Sequence, residues 1–347
     1  MTVLKTINYY RKQIMYFLTK EIGNEYSSTS FSTIDSTKIK SILVTRPNHR
    51  LGNLLLITPL LQEIENTFPN AKVDVFLKGN LGPIILKEYA NVNQIIALPK
   101  NHFSKLPIYI NTWFKLRKKK YDLVINAVPH SSSGRLSTKL CRAKVKIFGN
   151  NNKNYERFDK NYKHIAKLPV CSLRQALSQK MLFTSLEVPS LDIKLTDKEK
   201  KNGKEILNKI TQSTQKTIVI FTYATGEKCY GKTWWKNFYK TLKEAFPNYF
   251  VLEVLPKENS SQIDFSAPTY YSKDLREICS VLSNTAGFIG ADSGMMHLAV
   301  ASKISVIGLF SVTNPQIYQP YGRQNIALNP MEISNAEIIQ HLKKRIH

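Results

Sequence analysis

The sequence lacks any uninterrupted apolar run close to the roughly 18–20 residues that a membrane-spanning helix requires. Its N-terminus also lacks the small-residue cleavage site of a secretory signal peptide. The four cysteines, at positions 141, 171, 229 and 279, form no Cys-x-x-Cys pair, which argues against a zinc ribbon and a secreted disulfide framework. We therefore expect a cytoplasmic protein of a reducing compartment, either soluble or lying on a membrane without crossing it.

Acidic residues are also scarce. The 347 residues include 25 Asp and Glu against 50 Lys and Arg, a formal net charge of +25. The excess is concentrated between Lys100 and Lys180, where 19 basic residues face three acidic ones. A basic surface of this kind attracts phosphorylated ligands, nucleic acid or anionic lipid, because Coulomb attraction concentrates polyanions near it. The charge alone does not choose among these, and a merely solvated basic face is a further reading.

What the sequence does contain is a repeated alternation of short apolar runs with segments of helical periodicity. Its 42% hydrophobic content and its length favour two domains with real cores. Strands joined by helical crossovers predict parallel sheets, so we expect an α/β protein with two Rossmann-like lobes facing a cleft. We place the first lobe at 39–190 and the second lobe, with a C-terminal helix, at 191–347. The predicted strands are 42–44, 73–77, 94–97, 123–126, 144–148, 217–221, 250–255, 287–289 and 305–309. The predicted helices between and after them are 54–68, 81–89, 109–117, 134–140, 234–246, 274–284, 295–301 and 334–344.

Residues 1–38 precede the first lobe as a helix and a polar linker. Apolar residues between Leu4 and Ile22 recur near helical spacing, with basic residues among them. This pattern predicts a basic amphipathic helix, which either lies in an anionic lipid interface or packs on the protein itself. The polar linker is expected at 27–37.

The strongest motif runs from Phe288 to Val300. An apolar strand leads into Asp292-Ser293-Gly294, and a helix begins near Met295. Gly294 has no Cβ to keep a ligand from the backbone, and the first amides of the helix present the positive end of its dipole. The motif predicts an anion site. The alternatives are that Asp292 or Ser293 only caps the helix, and that His297 is an ordinary core histidine.

With its surroundings this segment resembles a known family, the heptosyltransferase-like glycosyltransferases of family 9. The donor-site signature of that family resembles Asp292-Ser293-Gly294-x-x-His297-Leu298-Ala299, continued by Ser305-Val-Ile-Gly-Leu-Phe310 and Thr313-Asn314-Pro315. Three more segments agree in order, and the resemblance covers roughly residues 40–320. They are Ile42-Leu-Val-Thr-Arg46 with Leu51-Gly52 and Thr58-Pro59-Leu60, then Tyr121-Asp-Leu-Val-Ile125, then Ala224-Thr225 with Lys232-x-Trp234.

The resemblance implies a GT-B fold and a metal-independent, inverting sugar transfer from ADP-heptose or a similar donor to a lipopolysaccharide core or related surface glycan. No cofactor is expected, since the nucleotide-sugar is a substrate. The residues that match the family's donor-side motifs are implied to bind the donor: Thr225 and Lys232 at the diphosphate, Ser293, Gly294 and Met295 through their backbones, Asp292 at the sugar, and His297 and Glu258 nearby.

Two of these assignments have simpler alternatives. The alternative for Lys232 is a surface lysine preceding a helix whose Trp234 and Trp235 pack or cover a base. Glu258 follows a strand where the family often has a ribose-contacting acid, but a solvated turn glutamate explains it as well.

The implied reaction agrees with the lack of a metal site. The leaving nucleoside diphosphate gains negative charge, which a lysine and a helix N-terminus can stabilise without a metal cation. No Asp-x-Asp metal dyad appears.

The chain departs from the family at the first glycine turn. The family has Gly-Asp there, and that aspartate is assigned as the general base; here the pair is Gly52-Asn53. An amide cannot take a proton. Three readings remain open: His49 in the same loop serves as the base, Asn53 only positions the acceptor, or the protein is a catalytically degenerate nucleotide-sugar binder.

The acceptor is expected to be a phosphorylated glycolipid bound by the basic N-terminal lobe. The predicted acceptor contacts are Arg46, Gly52 and Arg135, and the last of these follows a loop after the 121–126 strand. Its alternative is an ordinary arginine at a helix N-terminus. A nucleic-acid-binding function is less favoured, because the aromatic residues of the basic stretch follow core periodicity and no nucleic-acid motif appears.

Overall fold

The computed structural model describes residues 3–23, 36–100, 105–149, 154–177, 187–322 and 324–346. The described residues fall into two compact units. Unit 1 is drawn from residues 1–49, 59–83 and 89–189, and unit 2 from residues 50–58, 84–88 and 190–347. Residues 27–35 of the predicted polar linker lie outside the described residues.

Unit 1 is built on a parallel sheet with strand order β3-β2-β1-β4-β5. Its central strand β1 is completely buried at Ile42, Leu43 and Val44, because helices cover both faces of such a sheet. Its strands are β1 (Ser41–Thr45), β2 (Lys72–Lys78), β3 (Val92–Leu98), β4 (Lys120–Asn126) and β5 (Arg142–Ile147). The helices of the N-terminal half are α1 (Val3–Thr19), α2 (Leu51–Leu55), α3 (Thr58–Thr67), α4 (Gly82–Ile85), α5 (Leu106–Lys118), α6 (Ser132–Leu140) and α7 (Leu168–Leu177).

Unit 2 has a second parallel sheet, with strand order β11-β10-β9-β6-β7-β8. Its strands are β6 (Thr217–Phe221), β7 (Phe250–Val254), β8 (Thr269–Tyr270), β9 (Gly287–Ala291), β10 (Ser305–Leu309) and β11 (Ile326–Leu328). Its helices are α8 (Asp197–Thr211), α9 (Lys232–Ala245), α10 (Leu275–Leu282), α11 (Gly294–Ala301), α12 (Pro315–Tyr318) and α13 (Asn335–Lys343). The α2 helix also belongs to this unit, because it packs on α11.

The predicted α/β fold class is confirmed, since both units carry parallel sheets joined by helices. One prediction was wrong in detail: the single helix expected over 54–68 is two helices, α2 and α3. The break precedes Thr58-Pro59, because Pro59 has no N–H to donate to the carbonyl of residue 55 and so cannot continue the hydrogen bonds of α2. The hydroxyl of Thr58 donates to the Leu55 carbonyl at 2.7 Å across this break.

Candidate active site

The loops that follow β6 and β9 meet at the carboxyl edge of the unit 2 sheet. These two strands are direct neighbours and parallel, so their C-terminal ends lie side by side. Asp292 comes immediately after β9, and Lys228 lies in a 3₁₀ turn (Gly226–Lys228) after β6. The Lys228 Nζ atom is 3.0 Å from Asp292 Oδ2. The topology of the sheet thus brings together two charged groups that are 64 residues apart in the chain.

Asp292 is held in place by several contacts. Its side chain is only 8% exposed, against 30% for Lys228. The hydroxyl of Thr313, from the loop after β10, donates to Asp292 Oδ2 at 2.6 Å, and the Asp292 amide donates to the Leu309 carbonyl at 3.1 Å. A carboxylate fixed by a cation and a hydroxyl keeps its position when a ligand arrives. Asp292 and Ser293 were both candidates for the N-cap of the following helix, but the Asp292 side chain is bound by Lys228 and Thr313 from these loops.

Ser293 is the N-cap of α11. Its hydroxyl accepts a hydrogen bond from the Met296 amide at 3.3 Å, and its backbone is extended. The earlier amides, those of Gly294 and Met295, belong to the first turn, whose N–H groups have no partner within a helix. Gly294 and Met295 are half-buried. The predicted helix N-terminus therefore lies beside the carboxylate of Asp292.

His297 is buried on the same helix. It is 4% exposed, and its Nδ1 atom has no hydrogen-bond partner among the residues that the structure describes. Burial lowers the pKa of His297 well below its ordinary value; the carboxylate of Asp292 opposes this shift and Lys228 adds to it. The imidazole is consequently neutral near pH 7, and its Nδ1 atom can still form a hydrogen bond.

Two glycines allow α2 to approach α11 closely. A Cβ added to Gly52 would lie 2.8 Å from His297 Cδ2, and one added to Gly294 would lie 3.1 Å from Leu51 Cβ. The family-like Gly52 therefore has a packing role beside the candidate donor helix, within unit 2. Asn53 follows it on α2 and is half-buried.

Lys232, the lysine of the Lys-x-Trp motif, has a different environment. It is the first residue of α9, its Nζ pairs with Asp264, and its side chain is 59% exposed. Lys236, one turn later, contacts the same carboxylate at 2.6 Å. The two lysines hold the pKa of Asp264 at about 2. The structure thus brings Lys228 to Asp292 and Lys232 to a surface cluster, which the sequence motif did not indicate.

The other donor-side candidates lie at the strand ends. Thr225 is exposed in the loop after β6, just before the turn that carries Lys228. Glu258 is exposed after β7 and pairs with its neighbour Lys257 at 3.5 Å. The buried acid of that strand is Glu253, which accepts hydrogen bonds from Thr222 at 2.6 Å and from Ser261 at 2.7 Å, and burial raises its pKa. Sequence reasoning missed Glu253, since nothing in the strand pattern marks it.

The acceptor-side candidates in unit 1 are His49, Arg46 and Arg135. His49 is exposed, while Arg46 is 6% exposed at the end of β1 and its amide donates to the Phe76 carbonyl at 2.8 Å. Arg135 is also 6% exposed, and its Nη1 donates to the carbonyls of residues 19 and 20 at 3.2 and 3.0 Å. It therefore caps the end of α1, and its predicted acceptor contact stays a prediction.

Among the described residues there is neither a metal-binding cluster nor a membrane-spanning helix. No cluster of three or more His, Cys, Asp or Glu side chains with the geometry of a metal site occurs there. Nor is any helix in that part of the chain long and apolar enough to cross a membrane.

Comparison with known proteins agrees with the fold and the motifs. A family model described as glycosyltransferase family 9 (heptosyltransferase) matches residues 271–344. Lipopolysaccharide heptosyltransferase 3 of Escherichia coli is 23% identical over 296 residues, which cover 79% of this chain and 85% of that protein. The same protein of strain K12 is 22% identical over 288 residues, or 78% and 82% of the two chains.

Solved structures show the same fold. The glycosyl transferase family 9 structure from Veillonella parvula matches with a TM-score of 0.65 at 18% identity, covering 90% of this chain and 92% of that one. E. coli heptosyltransferase WaaC with ADP matches with a TM-score of 0.61 at 16% identity, covering 88% and 99%. The fold is thus the GT-B fold, and the protein is a glycosyltransferase. Residues 271–344 match the model of glycosyltransferase family 9, and the chain as a whole is similar to heptosyltransferases.

Proposed function

We propose that this protein transfers a heptose or a similar sugar from a nucleoside-diphosphate donor, with ADP-heptose favoured, to a lipopolysaccharide core or related surface glycan. The observation that carries the proposal is the cluster of Lys228, Asp292 and the first turn of α11 at the ends of β6 and β9. The curated relatives are lipopolysaccharide heptosyltransferases, and one structural relative was solved with ADP.

The donor cluster supplies what the departure of a diphosphate needs. Charge builds on the leaving phosphate as the sugar bond breaks, and an ammonium group together with helix N-terminal amides lowers the energy of that charge. Lys228 and the amides of Gly294 and Met295 are the groups available for this role. Asp292, held by Thr313 and Lys228, is placed to accept hydrogen bonds from sugar hydroxyls. We propose that transfer is inverting and needs no metal ion or cofactor.

Proton removal from the acceptor is assigned to His49, with Asn53 positioning the acceptor hydroxyl. An imidazole with an unperturbed pKa of about 6.5 can accept a proton near neutral pH, whereas an amide cannot. His49→Ala should then abolish most transfer activity between pH 6 and 8. If it keeps full activity across that range, the base lies elsewhere. If both the wild type and Asn53→Asp bind the nucleotide and neither transfers sugar, the protein is a nucleotide-sugar binder.

The proposed donor site is tested by comparing Lys228 with the motif lysine, Lys232. Calorimetric titration with ADP, UDP and GDP, with and without magnesium, should show tightest binding of ADP, unchanged by the metal. Lys228→Ala should weaken it about 10–100-fold, the worth of a charge-assisted hydrogen bond. Lys236→Ala is the matched control, because Lys236 is exposed and its ion pair is with the surface carboxylate of Asp264. Equal losses in both variants would refute the role of Lys228, and a large loss in Lys232→Ala alone would favour the motif lysine.

We propose further that the acceptor is a phosphorylated glycolipid and that the protein works at the cytoplasmic face of the inner membrane, with no nucleic-acid partner. The described part of α1 supports this. Tyr9, Tyr10, Ile14, Phe17 and Leu18 are between 59% and 69% exposed, which is unusual for a helix of a soluble protein. Removing residues 1–24 should reduce sedimentation of the protein with membranes and leave donor binding intact.

A further inference from the structure

A second helix of unit 1, α5, turns an apolar surface away from the core. Its inner side is well packed: Leu116 is 1% exposed, and the rings of Trp113 and Phe76 meet edge to face at 5.4 Å. The opposite side would normally be polar. Here it carries Leu106, Ile110 and Phe114 at four-residue spacing, so that they form one stripe along the helix.

The exposure of this stripe is large. Leu106 is 53% exposed, Ile110 46% and Phe114 60%. Leaving three such side chains in water forgoes a large part of the hydrophobic free energy that their burial would give. Scattered single exposed hydrophobics are ordinary, but a stripe of them on one helix indicates a surface that is covered in use.

The charges next to the apolar stripe of α5 indicate what kind of partner covers it. From residue 89 to residue 121 the chain has no acidic residue and seven basic ones, which are Lys100, Lys105, Lys115, Arg117, Lys118, Lys119 and Lys120. Lys119 is occupied, since its Nζ contacts Asp74 at 2.6 Å. Among the described residues, no ion pair engages Lys105, Lys115, Arg117 or Lys118, and all four are exposed. The last turn of α5 therefore presents free cations next to the apolar stripe.

These two features together select one kind of partner. A second copy of this chain carries the same net charge of +25, so like-charge repulsion opposes pairing through a basic face. Nucleic acid would use the cations but leave the aliphatic stripe in water, because its outer surface is phosphate and sugar. A bilayer with anionic headgroups satisfies both, since apolar side chains enter the acyl boundary while lysines stay at the phosphates.

We propose that α5 is a membrane-docking helix that lies on anionic phospholipid through Leu106, Ile110 and Phe114, with Lys115 and Lys118 at the headgroups. The inference extends the proposed membrane contact to a new surface. It is tested separately from that contact by keeping residues 1–24 unchanged in every variant, and separately from sugar transfer by measuring lipid and nucleotide binding independently.

The experiment is vesicle sedimentation of the full-length protein. Vesicles of phosphatidylglycerol and phosphatidylethanolamine are compared with vesicles of phosphatidylcholine alone. The variant Leu106→Ser/Ile110→Ser/Phe114→Ser should lose about tenfold or more of its partition onto the anionic vesicles. The control substitutes three exposed apolar residues away from α5, Leu140→Ser/Phe265→Ser/Met331→Ser, and should bind as the parent does.

A second pair of variants tests the charge. Lys115→Glu/Lys118→Glu should abolish the preference for anionic vesicles, whereas Lys200→Glu/Lys204→Glu on α8 should keep it. Thermal unfolding midpoints of all variants establish that they are folded, and an unchanged ADP titration shows that the donor site is intact. Equal vesicle binding by the α5 stripe variant and its control would overturn the proposal, as would equal binding of the parent to both kinds of vesicle.

Discussion

Breaking the ion pair between Glu63 on α3 and Arg174 on α7 by removing one partner should strongly destabilise unit 1. Arg174 Nε is 2.6 Å from Glu63 Oε1, and Nη2 is 2.9 Å from Oε2, a bidentate geometry. The Arg174 side chain is 2% exposed and that of Glu63 is 6% exposed. Arg174 Nη2 also donates to the Glu187 carbonyl at 3.3 Å. One guanidinium therefore joins two helices and a following segment.

Two general magnitudes set the size of the effect. Unit charges about 4 Å apart attract by about 4 kcal/mol at an effective dielectric constant near 20. Removing one partner of a buried pair leaves the other charge without compensation, so Arg174→Met should lower the free energy of unfolding by about 3–5 kcal/mol. For a domain of this size that corresponds to a fall in the unfolding midpoint of roughly 6–20 °C. Glu63→Leu should behave alike.

The double variant Glu63→Leu/Arg174→Met should recover most of that loss, because no unpaired charge remains and apolar atoms fill the space. Circular dichroism during thermal and urea unfolding measures these changes, and hydrogen exchange at α7 locates them in unit 1. Lys200→Ala is the control, since the Lys200–Asp197 pair is exposed and exposed pairs add little. The reasoning is refuted if Arg174→Met costs no more than this control, or if the double variant loses the sum of the two single losses.

Three further predictions concern unit 2. Gly52→Ala should destabilise it by about 1–3 kcal/mol, since the new Cβ would lie 2.8 Å from the buried ring of His297; thermal unfolding measures this. Ser293→Ala should cost about 1 kcal/mol in urea unfolding, because it removes the N-cap of α11. Arg276 holds the pKa of Glu199 at about 2, below its ordinary 4.5, so the stability from this pair is complete above pH 4.5 and disappears as the pH falls towards 2. Unfolding midpoints of Glu199→Gln should therefore depend less on pH over that range.

Each of the three predictions for unit 2 would be contradicted by a specific result. A neutral Gly52→Ala would mean that α2 moves away from α11 at no cost. A neutral Ser293→Ala would mean that water or another group satisfies the Met296 amide as well as the hydroxyl does. An acid transition in Glu199→Gln identical to that of the wild type would assign the pH dependence to other carboxylates, such as Asp122, whose pKa is also about 2.

Much of the architecture follows from the local sequence. The strand predicted over 217–221 and that over 305–309 coincide with β6 and β10, because unbroken apolar runs bounded by polar residues fit a sheet covered on both faces. The helix α8 was missed although Thr196 and Glu199 form a capping box, a signal that the sequence does carry. The break at Thr58-Pro59 was equally readable.

The candidate site was only partly predictable. The motif around Asp292 marked the right strand end, and the cap by Ser293 was one of its open readings. The motif lysine, Lys232, turned out to pair with Asp264, and Lys228 took the place beside Asp292. No local pattern distinguishes the two lysines, since each lies in a loop or first helical turn after β6.

The sequence by itself determined most of the strands and helices along the chain, the resemblance to a family and the position of the donor motif, because periodicity, turn residues and short signatures act over a few neighbouring residues. The tertiary structure decided which side chains meet. Lys228 reaches Asp292 across 64 residues because β6 and β9 are adjacent, and Arg135 reaches the end of α1 across more than a hundred. Such contacts depend on how strands are ordered in the sheet, and that order is fixed by packing of the whole unit rather than by any segment of it.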